Sequence, residues 1–323
     1  MKTKKDISIQ IIRIFSMLSI IACHLVTNNT IAQFLTFGVY TFLFMSGYLY
    51  SQKKIQNKAD WIIKQYKKIS IPVFVFLVFI LIVHLILEIH FEPKKIFVYI
   101  FNLQYFFSGI LGATHLWFLS VIMICYILTL EKDMIKRLFN KKVFIILIIG
   151  IAICFAYINK TLSNLLFMII TYFFGMQYKD LEEKVNYNFF ITLMLCVLSI
   201  ILKIITHHFI DDTPLYNSVI YFIVHLILAY SFFSSVRFIC SKINIHSNKF
   251  IDYFDEISYF VFITHYSFVV GPVALVGLTN NYLINVFIIL LLSFVTATIL
   301  KIITESINNL LNKHSKKMEK ILN

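Results

Sequence analysis

Long runs of apolar residues, separated by short polar connections, extend along the chain from Ile7 to Thr304. A helix that crosses a bilayer needs about 20 predominantly apolar residues, and dividing the chain by that rule predicts about ten transmembrane helices. The predicted spans are residues 7–27, 31–50, 69–90, 115–131, 143–159, 163–178, 187–209, 216–236, 257–275 and 282–304. Because the runs lack the alternating pattern of barrel strands, the sequence predicts an all-α, polytopic integral membrane protein.

The connections between these runs are too short to hold a second folded domain, and no repeat or low-complexity tract divides the chain. We therefore expect residues 1–323 to form a single membrane-embedded domain with no separate soluble domain. The longest connection, near residues 88–114, contains the apolar run 96–107, which we interpret as an interfacial or re-entrant segment.

Composition agrees with this class, since 59% of the residues are hydrophobic and the mean hydropathy is +0.83. A net charge of +13 would be compatible with nucleic-acid binding, but the basic residues lie in short strips between the apolar runs. That arrangement is typical of membrane topology, so no nucleic-acid partner is expected. The five cysteines show neither paired nor metal-type spacing, which predicts no disulfide framework and no metal site.

The distribution of lysine and arginine predicts the orientation of the chain in the membrane. Alternate connections, together with both termini, carry 23 basic residues, whereas the opposite connections carry only Lys94, Lys95 and Lys160. Because basic residues are retained inside, both termini should be cytoplasmic in a multi-pass protein of the cell membrane. The first apolar run follows a basic start without a signal-type cleavage pattern, so we expect it to be retained as an anchor.

Arg13 and His24 are the most informative polar residues of the first span. Eleven residues of α-helix return nearly to the starting direction, so the two side chains should share one face about 16 Å apart. Ionisable groups at bilayer depth are costly unless they face a protein interior or a wet cavity, which makes the pair a functional hypothesis. The alternative is that Arg13 reaches the headgroups and His24 is an ordinary interfacial histidine.

Five segments with these and other polar residues occur in a recognisable order. They are Arg13 with His24, Phe-Leu-Phe-Met-Ser-Gly-Tyr-Leu at 42–49, Ile-Ser-Ile-Pro at 69–72, His-Leu-Trp-Phe-Leu at 115–119 and Ile-Ser-Tyr-Phe-Val-Phe-Ile-Thr-His at 257–265. In this order the chain resembles the acyltransferase-3 family of membrane O-acyltransferases. Two features depart from the family: Gln-Ile-Ile-Arg at 10–13 lacks a preceding acid that many members have, and no esterase-like domain follows the last span.

The resemblance implies transfer of an acyl group, usually acetyl from cytoplasmic acetyl-CoA, to a hydroxyl of a cell-surface or lipid-linked glycan, with no metal. The acceptor would be an envelope polysaccharide, an exopolysaccharide or its lipid-linked precursor, and polysaccharide assembly proteins would be possible partners beside the membrane lipid. Transfer of another acyl group, such as succinyl, is the alternative within this class. A transporter of lipid-linked sugars is the alternative outside it, because helices with buried polar groups also suit transport.

His24 and Arg13 are the residues to which we assign the chemistry. Histidine has the pKa to remove a proton from a hydroxyl near neutrality, and it could instead carry the acyl group as a nucleophile. Arg13 suits either a phosphate of CoA or the carbonyl oxygen of the thioester. The basic strip 53–68 could also attract the phosphates of CoA, although membrane topology accounts for it equally well.

Five further residues are predicted to bind substrate, each with a simpler explanation beside it. His115 and Trp117 begin the fourth span, where interfacial aromatic residues are common. His265 lies near the middle of the ninth span, where an imidazole needs a polar environment, and Tyr259 lies in the same span. Ser46 and Gly47 are adjacent small residues, for which close helix packing beside a cavity is favoured over direct chemistry.

Overall fold

The computed structural model describes residues 6–182, 188–210, 213–243, 245–246 and 248–322. These residues are helical or in turns, and no β-strand occurs among them. The chain forms two compact units, the first from Met1–Ile62 with Val121–Asp255 and the second from Ile63–Ser120 with Glu256–Asn323. The expectation of a single membrane-embedded domain stays a prediction.

Thirteen α-helices follow one another through the described residues. The first seven are α1 (Ile7–Leu25), α2 (Asn29–Leu35), α3 (Phe37–Tyr50), α4 (Lys58–Ile86), α5 (Lys94–Ile100), α6 (Trp117–Thr129) and α7 (Lys132–Phe139). The remaining six are α8 (Lys142–Ile158), α9 (Lys160–Leu181), α10 (Phe189–Ile210), α11 (Tyr221–Ile243), α12 (Lys249–Val269) and α13 (Tyr282–Leu322). A 3₁₀ turn, Thr114–Leu116, precedes α6, and a π-helix, Leu215–Ile220, precedes α11.

A helix occurs at each of the ten predicted spans, and the all-helical membrane class is confirmed, but a count of ten crossings is not. Within the described residues, five helical segments are long and apolar enough to cross a bilayer: Ile7–Leu25, Asn29–Tyr50, Lys58–Ile86, Ser218–Ile243 and Tyr282–Lys313. A sixth is present if α6, with its leading turn, and α7, bent by 92°, form one span.

Two of the remaining helices fall short of this test for recognisable reasons. The apolar segment of α8, Lys142–Ile158, is shorter than a full crossing. The predicted ninth span belongs to α12, which begins eight residues earlier and carries Asp252, Asp255 and Glu256. Counting apolar runs therefore located the helices, whereas the number that cross depends on helix ends that the runs do not mark.

Side-chain caps begin the first two helices. The Asp6 carboxylate precedes α1 and accepts hydrogen bonds from the Ser8 amide at 2.9 Å and the Ser8 hydroxyl at 2.6 Å. Asn28 precedes α2, and its side-chain oxygen accepts a bond from the Ile31 amide at 3.1 Å. Such caps satisfy amide groups that have no partner within the helix, so the local sequence determines where these two helices begin.

The first unit packs α3 closely against α9 through two glycines. A Cβ atom on Gly47 would lie 1.8 Å from the Tyr172 carbonyl oxygen, and one on Gly175 would lie 2.0 Å from that of Phe44. Neither position has room for a larger residue without movement of the backbone. The packing predicted for the segment around Ser46 is therefore present, with Ser46 itself buried beside the contact.

An ion cluster joins the ends of several helices of the first unit. Arg237 of α11 pairs with Glu182, just after α9, at 2.8 Å and with Asp6 at 3.1 Å. The Tyr48 hydroxyl of α3 donates to Glu182 at 2.6 Å, and Lys179 pairs with the same carboxylate at 3.1 Å. This set, which we call the Arg237 cluster, connects α1, α3, α9 and α11.

In the second unit, buried polar contacts fix the connection between α5 and α6. The Tyr99 hydroxyl donates to the Ala113 carbonyl at 3.1 Å and accepts a bond from the Ile110 amide at 2.9 Å. The Asn102 amide donates to the Ser70 hydroxyl of α4 at 3.0 Å. These contacts hold the approach to the 3₁₀ turn that carries His115. The interpretation of the apolar run 96–107 as an interfacial or re-entrant segment stays a prediction.

Candidate active site

Arg13 lies in the second turn of α1 and pairs with Asp255 of α12. The Asp255 side chain is only 5% exposed, while that of Arg13 is 28% exposed. One turn earlier on α1, the Gln10 amide donates to Asp252 at 2.7 Å. Asp252 and Asp255 are three residues apart, which places both carboxylates on one face of α12. Arg13 is thus held in a fixed position by a largely buried carboxylate.

A guanidinium group has five N–H donors, and in this structure only Nη1 of Arg13 bonds to Asp255. The pairing therefore positions the group without using its whole hydrogen-bonding capacity. A second anion or a polarised carbonyl oxygen could be bound by the remaining donors.

The two carboxylates of α12 were missed by sequence analysis. Asp252 and Asp255 lie 242 positions from Gln10 and Arg13, so no local pattern links them. The available signal was the presence of carboxylates at the start of an otherwise apolar segment. The structure also gives Gln10 a partner on α12, although the sequence showed this position only as a departure from the family's usual acid.

His24 lies in the last turn of α1 and is half-buried. The helix is continuous from Ile7 to Leu25, so Arg13 and His24 belong to the same element, as predicted. Between them, the Ser19 hydroxyl donates to the Leu35 carbonyl of α2 at 2.6 Å. That bond ties the His24 end of α1 to the short helix that follows it.

His115 and His265 lie together in the second unit, with ring centroids 5.1 Å apart. Both side chains meet the Phe262 carbonyl oxygen, His115 through Nε2 at 2.8 Å and His265 through Nδ1 at 2.9 Å. A carbonyl oxygen only accepts, so each of these nitrogens donates the hydrogen bond. In a neutral imidazole the basic nitrogen is then the other one, Nδ1 of His115 and Nε2 of His265. The His115 ring also stacks on Tyr266, with centroids 4.8 Å apart.

The other predicted substrate-binding residues have different surroundings. Trp117 starts α6 and packs against Tyr105, with ring centroids 5.8 Å apart. The Tyr259 hydroxyl donates to the Ile69 carbonyl of α4 at 2.8 Å, which ties α12 to α4. Arg13, His24 and Ser46 belong to the first unit, whereas these two residues belong to the second with His115 and His265.

His225 of α11 is a further fully buried imidazole in the first unit. Its Nε2 atom lies 2.8 Å from the Gln33 carbonyl and 2.9 Å from the Thr36 hydroxyl, and its Nδ1 atom lies 2.6 Å from the Tyr221 carbonyl. These contacts join α11 to α2, which accounts for a buried histidine without a role in chemistry.

These features define a polytopic helical membrane protein in which an arginine–carboxylate pair and buried histidines interrupt apolar helices. A family model described as an acyltransferase domain matches residues 6–303. The chain therefore belongs to the acyltransferase-3 family, and the resemblance found in the sequence is confirmed over nearly its whole length. Membership supports a membrane acyltransferase. No curated protein and no solved structure matches this sequence.

Proposed function

We propose that this protein is a membrane O-acyltransferase that moves an acetyl group from cytoplasmic acetyl-CoA to a hydroxyl of a cell-surface or lipid-linked glycan. The observation that carries the proposal is the first helix of the matched family domain, where Arg13 is held by Asp255 and His24 follows on the same helix. Such an arrangement supplies a fixed cation for the donor and an imidazole for the acceptor.

Two chemical routes are available to His24. In the first, its imidazole takes the proton of the acceptor hydroxyl, whose oxygen attacks the thioester carbonyl, and the C–S bond breaks to release the thiolate, which then takes up a proton. In the second, a ring nitrogen attacks the thioester carbonyl, and the C–S bond breaks to release the thiolate, which takes up a proton. The acceptor oxygen then attacks the acetyl group, the N–C bond breaks, and the released imidazole takes up the hydroxyl proton. Arg13 serves both routes, since it can bind a donor phosphate or polarise the carbonyl.

The histidine pair of the second unit supports a role in holding the polar acceptor. Contact with Phe262 orients both rings, and the neutral form of His265 keeps Nε2 as its basic nitrogen. We assign His115, His265, Trp117 and Tyr259 to acceptor binding, and Ser46 to the packing beside the site. Sugars present both hydroxyl groups and apolar ring faces, which suits imidazole and indole side chains together.

The charge distribution supports the orientation of this reaction. With 23 basic residues on one set of connections together with the termini, both termini are assigned to the cytoplasm of a cell-membrane protein. In that orientation Arg13 lies nearer the side where acetyl-CoA is made, and His24 lies nearer the side where an envelope polysaccharide, an exopolysaccharide or its lipid-linked precursor is found. Polysaccharide assembly proteins would then supply the acceptor.

The proposal is tested by proton NMR of purified surface glycans from cells that lack this protein. The cells are complemented with wild type, His24→Ala or the exposed control His90→Ala, at matched membrane levels. We expect O-acetyl signals to return with wild type and His90→Ala and to remain absent with His24→Ala. If acetylation is unchanged throughout while the amount of exported glycan falls without the protein, the transporter alternative replaces the enzyme.

A further inference from the structure

A cavity of about 580 Å³ lies in the first unit between the connection from α3 to α4 and the segment that includes α7. We call it the basic pocket, since its lining has more cations than carboxylates. The cations are Lys53, Lys54, Lys58, Lys132 and Arg137, and the carboxylates are Glu131 and Asp133. Its volume falls in the range of pockets that bind small molecules and cofactors, roughly 300–1,000 Å³.

The floor of the basic pocket is fixed by hydrogen bonds from Lys132. Its ammonium group donates to the carbonyl oxygens of Ser51 and Lys53, each at 2.7 Å, at the point where α3 has ended. Lys136 on the next turn donates to the Ser51 hydroxyl at 2.6 Å and pairs with Asp180 at 2.7 Å. These bonds use two lysines for structure and hold the α3–α4 connection against α7.

The remaining cations divide into one that is paired and three that are available. Lys58 pairs with Glu131. Lys53 and Lys54 are exposed and make no ion pair within the described part of the chain. Arg137 uses Nε to bond the Asp133 carbonyl at 3.2 Å, which orients the two terminal nitrogens of its guanidinium group for another partner.

Two flexible ammonium groups and an oriented guanidinium match a ligand with more than one phosphate, because each phosphate can accept several charge-assisted hydrogen bonds. Ile55, Leu130 and Met134 add apolar surface to the same lining. A nucleotide offers both properties, phosphates at one part and a flat base at the other. Membrane topology alone would explain why cations lie on the cytoplasmic side. It would not explain why Lys132 and Lys136 hold the α3–α4 connection in place beside them.

We propose that the basic pocket binds the phosphate-bearing nucleotide end of the acyl donor, with Lys53, Lys54 and Arg137 as its phosphate ligands. The inference rests on the proposed function and adds a location for the donor, away from the helix that carries Arg13 and His24. Arg13 is then not needed for the nucleotide phosphates and is left to contact a part of the donor nearer the thioester. An anionic lipid headgroup shares the phosphate chemistry, and the experiment below separates the two sources.

The test measures the Kd of coenzyme A by isothermal titration calorimetry, using the full chain in phosphatidylcholine nanodiscs. Lys53→Ala/Lys54→Ala removes two exposed cations of the pocket, and Lys141→Ala/Lys142→Ala removes two exposed cations that are not part of its lining. We expect Kd to rise at least about tenfold in the first double variant and to change less than about twofold in the second. Thermal melting of all three proteins checks that they are folded.

The same titration with 3′-dephospho-CoA distinguishes phosphate recognition from general attraction. Wild type should bind it more weakly than coenzyme A, and the pocket variant should discriminate less between them. Equal coenzyme A binding by wild type and the pocket variant would overturn the inference, as would equal weakening in the Lys141/Lys142 control. If wild type binds no coenzyme A, the donor assignment of the proposed function falls with it.

Nanodiscs that contain phosphatidylglycerol supply the competing source of phosphate. A donor pocket predicts that the coenzyme A Kd of wild type shifts little when this lipid is added. A headgroup pocket predicts that Lys53→Ala/Lys54→Ala weakens the binding of phosphatidylglycerol but leaves the coenzyme A Kd in phosphatidylcholine nanodiscs unchanged, and this result would overturn the donor assignment. Because glycan acetylation in cells is measured separately, loss of the pocket inference leaves the proposed reaction testable by itself.

Discussion

At the scale of single residues, the Arg13–Asp255 pair combines a structural and a chemical task. Moving two charges into a protein interior carries a desolvation cost that their attraction offsets only with good geometry. Asp255 is nearly fully buried and pairs with Arg13, whereas the more exposed guanidinium keeps donors for a further contact. Loss of activity in an Arg13 variant would therefore be ambiguous unless stability is measured with it.

A double-mutant cycle separates these tasks. Arg13→Ala removes a cation that is paired with a buried carboxylate and should lower the free energy of unfolding by about 3–5 kcal/mol. Arg13→Ala/Asp255→Asn removes both charges and should recover most of that stability without recovering glycan acetylation. Denaturation of the purified protein and O-acetyl NMR give the two readouts. Recovery of acetylation in the double variant would show that Arg13 acts only through Asp255.

At the scale of helices, the fold depends on contacts in which two helices pack too closely to admit a larger side chain. The α3–α9 contact is the closest of these, because Gly47 and Gly175 each face a carbonyl oxygen of the other helix. Small residues let membrane helices approach until backbone atoms touch, and the stabilisation comes from packing rather than from exclusion of water.

Replacement of Gly47 by alanine should be destabilising. The new Cβ atom would lie 1.8 Å from the Tyr172 carbonyl oxygen, so the helices must separate. We expect a loss of about 1–3 kcal/mol, measured by thermal or denaturant unfolding in detergent. Gly150→Ala in α8 is the matched control, since a Cβ atom there meets nothing within 4 Å. Similar losses in both variants would contradict the role of the α3–α9 contact.

The Arg237 cluster gives the first unit a defined response to acid. Burial raises the pKa of Glu182, but the hydrogen bond from Tyr48 and the charge of Arg237 outweigh it, so the pKa lies below its ordinary 4.5. Burial likewise raises the pKa of Asp6. The hydrogen bonds from Ser8 and the charge of Arg237 outweigh burial, so the pKa of Asp6 lies below its ordinary value of 3.8. A lowered folded-state pKa contributes stability above the unfolded value, and that stability is lost as pH falls.

Unfolding measured from pH 7 to pH 3 tests the cluster. Wild type should keep its stability down to about pH 4.5 and then lose it as Glu182 and Asp6 become protonated. Arg237→Gln should be less stable at pH 7 and should show a shallower decline below pH 4.5, because the cation that lowers both pKa values is gone. Parallel stability curves for the two proteins would contradict this account.

At the scale of the whole molecule, local sequence patterns predicted the helices but not the contacts between distant parts of the chain. Apolar runs located a helix at every predicted position, because burial in lipid requires long stretches without charge. The eleven-residue spacing placed Arg13 and His24 in one helix, because helical periodicity is local. Asp255 and the meeting of His115 with His265 could not be predicted, since each joins distant parts of the chain through tertiary packing.

The sequence also did not determine how many helices cross the membrane, so the count of about ten crossings stays a prediction. A rule based on apolar length treats each run as independent, but α12 extends into a charged segment and α6 meets α7 at a sharp bend. Such features arise where polar residues are satisfied by neighbouring helices, as Asp252 is by Gln10. The same interactions that obscure the span count are the ones that build the candidate site.

Acetyl transfer across the membrane is tested most directly in sealed vesicles. Vesicles containing the protein receive labelled acetyl-CoA on one face only, with the glycan acceptor on the other, and label in the glycan is counted over time. We predict transfer when acetyl-CoA is on the cytoplasmic face, no transfer from the opposite face, and loss of transfer by orders of magnitude in His24→Ala. Equal transfer from both faces, or undiminished transfer by His24→Ala, would contradict the account.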